Sequence, residues 1–216
     1  MSSERMQRVV TLISGRGSNL QALFAAGLQA EIAAVISNEP HARGLEIARR
    51  AGAPTEIVEH RQFRERAAFD LALGDVIARY NPDLIVLAGF LRVLTEAFVE
   101  RFAGKLINIH PSLLPAFPGL HTHRRALEEG VCIHGCTVHF VTPRLDGGPI
   151  IVQAAVPVLP DDSAETLAAR VLQQEHIVLP QAVRWFLEGR LQVHGNRVLV
   201  SGARRYPEAI ASPVPT

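Results

Sequence analysis

The chain predicts an α/β fold: a mainly parallel sheet with helices on both faces and an antiparallel C-terminal edge. Three observations carry that prediction. Short β-branched apolar runs alternate with amphipathic stretches of helical length, the order expected of parallel strands joined by right-handed crossovers. One run, 84–88 (LIVLA), is apolar at every position, as a parallel strand covered on both faces should be. The first run breaks directly into a glycine-rich turn, Gly15-Arg16-Gly17-Ser18-Asn19, ahead of a helix. Strand, glycine-rich turn and helix make the anion-binding unit of doubly wound folds.

In chain order, residues 8–14 (RVVTLIS) are the first expected strand and 20–26 the first helix. A second strand follows at 32–37, then a helix over 42–51 closed by Gly52. Residues 55–58 form a short strand, and 63–80 a longer helix that stops at the turn Asn81-Pro82-Asp83. The strand 84–88 leaves its end as a largely apolar loop, 89–94 (GFLRVL). Thr95 is placed to cap a short helix, 96–102, because its hydroxyl can accept an early backbone N–H. The buried strand 106–109 comes next and stops at His110-Pro111, since proline has no N–H for the ladder. Prolines at 111, 115 and 118 stiffen the loop beyond it. A short helix is expected over 123–129, then two longer runs, 135–142 (GCTVHFVT) and 149–158 (PIIVQAAVPV). They flank the loop 143–148 and suit an antiparallel pair at the sheet edge. Ser163, with Glu165 and Thr166 behind it, starts a helix to about residue 187. Its inner face carries Leu167, Val171, Leu172, Val178, Leu179 and Trp185. Residues 1–191 thus read as one domain. Residues 192–216 read as an extension, with one candidate hairpin from Leu191 and a Pro-rich tail, 212–216, expected to be disordered.

At 216 residues and 48% hydrophobic, the chain can bury a core of α/β size. Its formal net charge is +1 with both signs interspersed, so it lacks the basic stripe of a nucleic-acid binder. No apolar run approaches a membrane span, and MSSERMQR at the N-terminus has no signal-peptide core. The expectation is a cytoplasmic protein with no membrane partner. Cys132 and Cys136 read as free thiols. With His134 and His139 they crowd into eight residues of mostly one strand, poor geometry for a tetrahedral ion, so no metal is expected. His41 and His60 read as surface residues. Phe24, Phe63, Phe69 and Trp185 read as core.

The residues that can carry chemistry lie in two loops and at one strand end. A dinucleotide fingerprint would need a third glycine at Leu20 and an acid closing the second strand, where Ser37-Asn38 stand and Glu39 comes late. A triphosphate loop would need Lys-Ser/Thr, which is missing. The first turn therefore favours a single phosphate, with a plain tight turn as the alternative. Asn108 and His110 are two apart on a strand, so their side chains share a face, about 6.6 Å apart. A small reacting centre fits between an amide and an imidazole so placed. The alternative is a strand end whose polar groups bond nearby backbone. Asp146, before Gly147-Gly148, is either a turn-former or a partner for His110. In the second case Asn108, His110 and Asp146 suit acyl-level chemistry. The amide and a protonated imidazole donate to a developing oxyanion, and the carboxylate guides the proton. No serine or cysteine nucleophile is implied; an amine can attack directly.

These words, taken together, are specific. LISGRGSNLQAL (12–23), AVISN (34–38), PDLIVLAGFLRVL (82–94), LINIHPSLLPAFPGLHTH (106–123), HGCTVHFV (134–141), LDGGPII (145–151) and QEH (174–176) resemble the folate-dependent formyltransferases, in the family's order. SGRGSNL narrows the resemblance to the glycinamide ribonucleotide branch and its close relatives. The resemblance implies a Rossmann-like formyltransferase fold and transfer of a formyl group from 10-formyltetrahydrofolate, a co-substrate, to the substrate's amine. It casts Asn108, His110 and Asp146 as the catalytic set. Gly17, Ser18 and Asn19 would hold the substrate phosphate. Leu172, Gln173, Gln174 and Glu175 would lie along the ribose and amine end. Arg66, Leu91, Arg92, Val93, Leu94, Asn108, Thr142, Pro143, Arg144, Leu145 and Asp146 would line the folate pocket. His121 and His123 would belong to a loop near the site. The implied partners are small molecules alone, for a monomer or homodimer.

Three positions depart from the family pattern: Thr137 stands for serine, Pro143-Arg144 for a more acidic pair, and Leu172 for glutamine. Two related activities compete. A 10-formyltetrahydrofolate hydrolase would use water as acceptor and usually carries a regulatory domain ahead of the first strand, for which no room is expected. A methionyl-tRNA formyltransferase would add an RNA-binding domain, which the neutral charge balance does not suit. A non-catalytic folate- or nucleotide-binding module would share the fold, but would not need Asn108, His110 and Asp146 together.

Overall fold

In the computed structural model, residues 5–204 and Ser212 are described, and they form a mixed α/β protein with mostly parallel strand pairing. Two compact units divide the chain: Met1–Asn108 with Phe140–Arg144, and Ile109–His139 with Leu145–Thr216. Each is described in turn.

The first unit holds β1 (Gln7–Ile13), α1 (Ser18–Ala25), β2 (Ala30–Ser37), α2 (Arg43–Arg50), β3 (Thr55–Ile57), α3 (Arg66–Arg79), β4 (Leu84–Leu87) and α4 (Glu96–Arg101). It also holds the start of β5 (Leu106–His110). The strands lie in the order β3-β2-β1-β4-β5, every pair parallel. β4 is buried at each of its four positions, in line with its unbroken apolar sequence. The core is a cluster in which Phe69, Leu73 and Ile77 of α3 pack with Val10, Leu12, Ile36 and Ile85 of the sheet. α3 starts three residues later than its periodicity predicts. Residues His60–Gln62 form a 3-10 turn, and Phe63 is extended (φ −111°, ψ 129°), packing its ring edge-on against Phe69. Thr95 caps α4 as expected: its Oγ1 accepts the Phe98 N–H at 3.4 Å, while its own N–H donates to buried Asp70 at 2.6 Å. Asp70 thereby ties the end of the 89–94 loop to α3.

The second unit contains the end of β5, α5 (Thr122–Glu128), most of β6 (Ile133–Phe140), β7 (Ile150–Pro157), α6 (Ala164–Leu187), β8 (Leu191–His194) and β9 (Arg197–Val200). β6 and β7 pair antiparallel, as do β8 and β9, so the hairpin expected from Leu191 is present. β9 joins β7 in parallel at Ile150 and Arg197. At Gly135 no side chain fits, because a Cβ would collide with the Ala154 carbonyl oxygen across the ladder. α6 opens on a capping box: Ser163 Oγ accepts the Thr166 N–H at 3.3 Å, and Thr166 Oγ1 accepts the Ser163 N–H at 2.9 Å. Its buried stripe runs Leu167, Val171, Glu175, Val178, Leu179, Ala182, Val183. Leu172 and Trp185, expected on the inner face, sit at its flank and are half-buried. The spacing of Val171, Glu175, Val178 and Ala182 places Glu175, a carboxylate, on the stripe instead. The Pro-rich tail at 212–216 lies, apart from Ser212, outside the described residues.

Candidate active site

In the first unit, the register that sets Ile13 opposite Ser37 brings the next residues of both strands together. Ser14 Oγ donates to Asn38 Oδ1 at 2.6 Å and accepts the Leu91 N–H at 2.8 Å. The glycine-rich turn is held by packing. Gly17 has φ 78°, and a Cβ there would lie 2.5 Å from the Gly44 Cα at the start of α2. The Gly44 N–H donates to the Gly15 carbonyl at 3.1 Å. Two glycines back to back thus fix the loop that leads Ser18 and Asn19 into the first turn of α1, where helix N–H groups favour an anion.

Beside this turn, a cleft of about 490 Å³ opens at the carboxyl ends of β1 and β2. Ser14, Arg16, Asn38, Arg43, His60 and Arg92 are among its lining residues. His60 is not the surface residue its sequence context suggests. Its ring is half-buried, with Nδ1 3.1 Å from the Asn38 carbonyl, and packs edge-on against Phe69. His41 is exposed, as expected, and lines the same cleft. Of the residues assigned to the folate pocket, Leu91 and Val93 are 69% and 49% exposed, an apolar surface left in solvent. Leu94 is half-buried, Arg66 is exposed at the start of α3, and Arg92 lies over the Phe69 ring. Thr142 is half-buried and donates to the Arg144 carbonyl at 3.3 Å; Pro143 and Arg144 are exposed.

In the second unit, His110 is buried and has two neighbours. Its Nδ1 lies 3.6 Å from Asp146 Oδ2, and its Nε2 lies 3.0 Å from the Phe117 carbonyl. Asp146 is more than a turn-former. Its side chain is 9% exposed, Oδ2 accepts the Gly119 N–H at 2.8 Å, and Oδ1 is 3.9 Å from His139 Nε2. Phe117 and Asp146, the two residues that meet the His110 ring, both hold positive φ without being glycine, so backbone strain is concentrated around one imidazole. Asn108 sits two residues before His110 on β5 and is half-buried. Leu145 is 53% exposed.

The loop after β5 is anchored by Thr137. Its hydroxyl donates to the Ser112 carbonyl at 2.7 Å, accepts the Leu114 N–H at 3.0 Å, and accepts Gln153 Nε2 at 2.9 Å. The hydroxyl, common to serine and threonine, is the part in use. Around it the histidines are electrostatically marked. Burial, then the charge of His123, pulls the His134 imidazole down to about 4, while its hydrogen bond to the Pro111 carbonyl opposes the shift. His123 is lowered too, by burial and then by His110. The two rings meet edge to face, centroids 5.4 Å apart. Burial and the nearby Glu175 push the Cys136 thiol up to about 12, which leaves it inert as a nucleophile at neutral pH. Among the described residues, no group of three or more His, Cys, Asp and Glu is placed to hold a metal ion.

The family model described as formyl transferase matches residues 7–183. The chain belongs to the formyl transferase family. It is 50% identical over 208 residues to the phosphoribosylglycinamide formyltransferase of Escherichia coli (strain K12), covering 94% of this chain and 98% of that protein. Glycinamide ribonucleotide transformylase 1 from Symbiobacterium toebii matches with a TM-score of 0.88 at 46% identity, over 93% of this chain and 99% of that one. A formyltetrahydrofolate deformylase from Pseudomonas syringae pv. tomato str. DC3000 matches with a TM-score of 0.84 at 31% identity, over 92% of this chain and 67% of that one.

Within this formyl transferase, the structure brings His110 and Asp146 together and sets Glu175 on the buried stripe of α6. Gln173 is exposed, while Leu172 and Gln174 are half-buried. Three features went unseen in the sequence. His139 flanks Asp146 opposite His110; the Phe117 carbonyl sits on the His110 ring; and Arg16, Arg43 and His60 share a cleft. The alternation in TVHFV could have signalled one of them, since His139 is four residues from Gly135 on the same strand face.

Proposed function

We propose that this formyl transferase moves the formyl group of 10-formyltetrahydrofolate to the amine of glycinamide ribonucleotide, giving formyl-glycinamide ribonucleotide and tetrahydrofolate. What carries the reading is the 50% identity, over nearly the whole of both chains, to a phosphoribosylglycinamide formyltransferase. The buried His110–Asp146 pair supports the chemistry. In this reading the amine attacks the formyl carbon directly. The carbonyl oxygen becomes an oxyanion that accepts hydrogen bonds from the Asn108 amide and the His110 imidazolium. Asp146 guides the proton from the attacking amine toward N10 of the folate, whose bond to carbon then breaks. The Phe117 carbonyl marks where the His110 ring meets an acceptor oxygen, and the oxyanion takes over that role.

Gly17, Ser18 and Asn19 are proposed to hold the phosphate, and Leu172, Gln173, Gln174 and Glu175 the ribose and amine end. Arg66, Leu91, Arg92, Val93, Leu94, Thr142, Pro143, Arg144 and Leu145 are proposed for the folate. The exposed apolar side chains of Leu91 and Val93 fit a flat pterin and its aryl linker. The reading needs no metal, nucleic acid or membrane, and describes a cytoplasmic monomer or homodimer. The test is release of tetrahydrofolate from 10-formyltetrahydrofolate with and without glycinamide ribonucleotide. Release that depends on the amine is the expected result. Equal release without it would assign the chain to hydrolysis, the activity named for the 31%-identical deformylase.

A further inference from the structure

We propose that His134 is a positioning residue for formyl transfer: it donates to the Pro111 carbonyl and so aims the His110 ring. The proposal rests on the formyl transfer reading, with His110 as a donor to the oxyanion, and names what holds that donor in place. His134 is 1% exposed, on β6, where it pairs with Val156 of β7. Its Nε2 is buried and has no hydrogen-bond partner, so the bond to the Pro111 carbonyl belongs to Nδ1. A carbonyl only accepts, so Nδ1 carries the proton and, in the neutral ring, Nε2 keeps a lone pair. Bulk alone does not account for such a ring. Burying an imidazole with one nitrogen unpaired costs free energy that a phenylalanine or leucine in the same space would not.

The bond matters because of where it falls in the chain. Pro111 directly follows His110 and has no N–H, so its carbonyl is the one polar group by which its main chain can be held. Two donors from separate elements meet on that oxygen: His134 Nδ1 from β6, and Thr122 Oγ1 from α5 at 2.6 Å. Together they fix the direction of the carbonyl; either one alone leaves it free to swing. The same imidazole packs edge-on against the Phe117 ring, centroids 5.7 Å apart, and the Phe117 carbonyl lies 3.0 Å from His110 Nε2. His134 thus touches both ends of the loop 111–117, one beside the His110 backbone and the other beside its ring. Charge fits the role as well. Burial is the main cause that pushes both His134 and His123 down, so both stay mostly neutral at pH 7 and do not oppose an imidazolium at His110.

The experiment compares full-length His134→Phe, His134→Leu and His134→Asn in formyl transfer, thermal unfolding and the His110 ring signals by nitrogen NMR. Phe and Leu fill the space and lose the donor. Asn places an amide N–H close to the position of Nδ1 and loses the ring. The Phe and Leu variants should fold, with kcat lower by about 10–100-fold and both KM values within about twofold of the parent. Their His110 signals should move. The Asn variant should melt lower than the Phe variant, yet keep kcat within about threefold of the parent and leave the His110 signals in place. Activity and stability would then rank the variants in opposite orders, which a purely structural role would not produce. Parental kcat in a folded Phe or Leu variant would overturn the proposal. So would a folded Asn variant as slow as those two. A parent that transfers no formyl group to the amine would fail the formyl transfer reading and leave the His110 signals to decide. Unmoved signals in the Phe and Leu variants would then overturn the positioning role.

Discussion

Asp146 joins several local arguments at one residue. Its backbone is left-handed at φ 48°, its carboxylate is nearly buried, and it faces two imidazoles while accepting a backbone N–H. A strained residue of this kind persists only where its surroundings fix it, and here Gly119 does. Asp146→Asn keeps an oxygen for the Gly119 N–H and removes the charge beside His110. Turnover should fall by about 10²–10⁴-fold, and equally in His110→Ala, with the melting temperature of the Asn variant close to that of the parent. Steady-state kinetics beside thermal unfolding checks this, and near-normal turnover in either variant would remove the mechanism. Thr137 divides in the opposite way. Thr137→Val leaves the Leu114 N–H, the Ser112 carbonyl and Gln153 without their shared partner, and should cost about 1–3 kcal/mol in chemical denaturation. Thr137→Ser should cost much less, because it keeps the hydroxyl. His110 and Asp146 were legible in the sequence because each sits in a short, unusual word. Arg16, Arg43 and His60 were not, because nothing local says that three separated segments end at one cleft.

At the scale of elements, period and punctuation were enough to find every strand and α-helix of the first unit, with ends displaced by a few residues, but not the 3-10 turn His60–Gln62. What they missed was packing between elements. Gly17 was legible as a turn glycine, but its partner Gly44 looked like any helix residue, and the close approach of the two exists only once α1 and α2 are in place. On α6, periodicity named four of the eight buried residues, Leu167, Val171, Val178 and Leu179; it missed Glu175 because a carboxylate is not counted as an inward position. The β6 strand gives a prediction in pH. The His134 imidazole is held at about 4 against an ordinary 6.5, burial being the main cause. Between those values the unfolded chain binds more protons than the folded one. Stability should therefore be full above about pH 6.5, decline as pH falls through that window, and level off below about 4, with His134 accounting for on the order of 2 kcal/mol. His134→Gln, neutral at every pH, should make the melting temperature fall less steeply between pH 6.5 and 4, the lowered His123 and His176 keeping a smaller slope. An unchanged slope would move the effect to other groups.

Across the whole molecule, the parallel half could be ordered from sequence because each strand–helix–strand unit has one favoured hand. The C-terminal hairpin could be seen but not placed, since the pairing of β9 with β7 depends on residues about fifty apart finding each other. That placement suggests what the hairpin does. β7 offers the antiparallel β6 on one side; on the other, an open edge would be a template for further pairing. β9 occupies that side at Ile150, buries Val198, and is tied back when the Ser201 carbonyl accepts Arg190 Nε at 2.7 Å. No residue proposed for catalysis or binding lies beyond Glu175. A chain ending at Gly189 should therefore keep its formyl transfer rate at dilute concentration. It should melt a few degrees lower, the shift expected for about 1–2 kcal/mol in a chain of this length. It should also associate at concentrations where the full chain does not, through the uncovered edge of β7, and light scattering over a concentration series would read this directly. A truncated chain that stays as dispersed and as stable as the parent would show that the hairpin guards nothing. Lost turnover in a folded truncation would show instead that the extension reaches the chemistry.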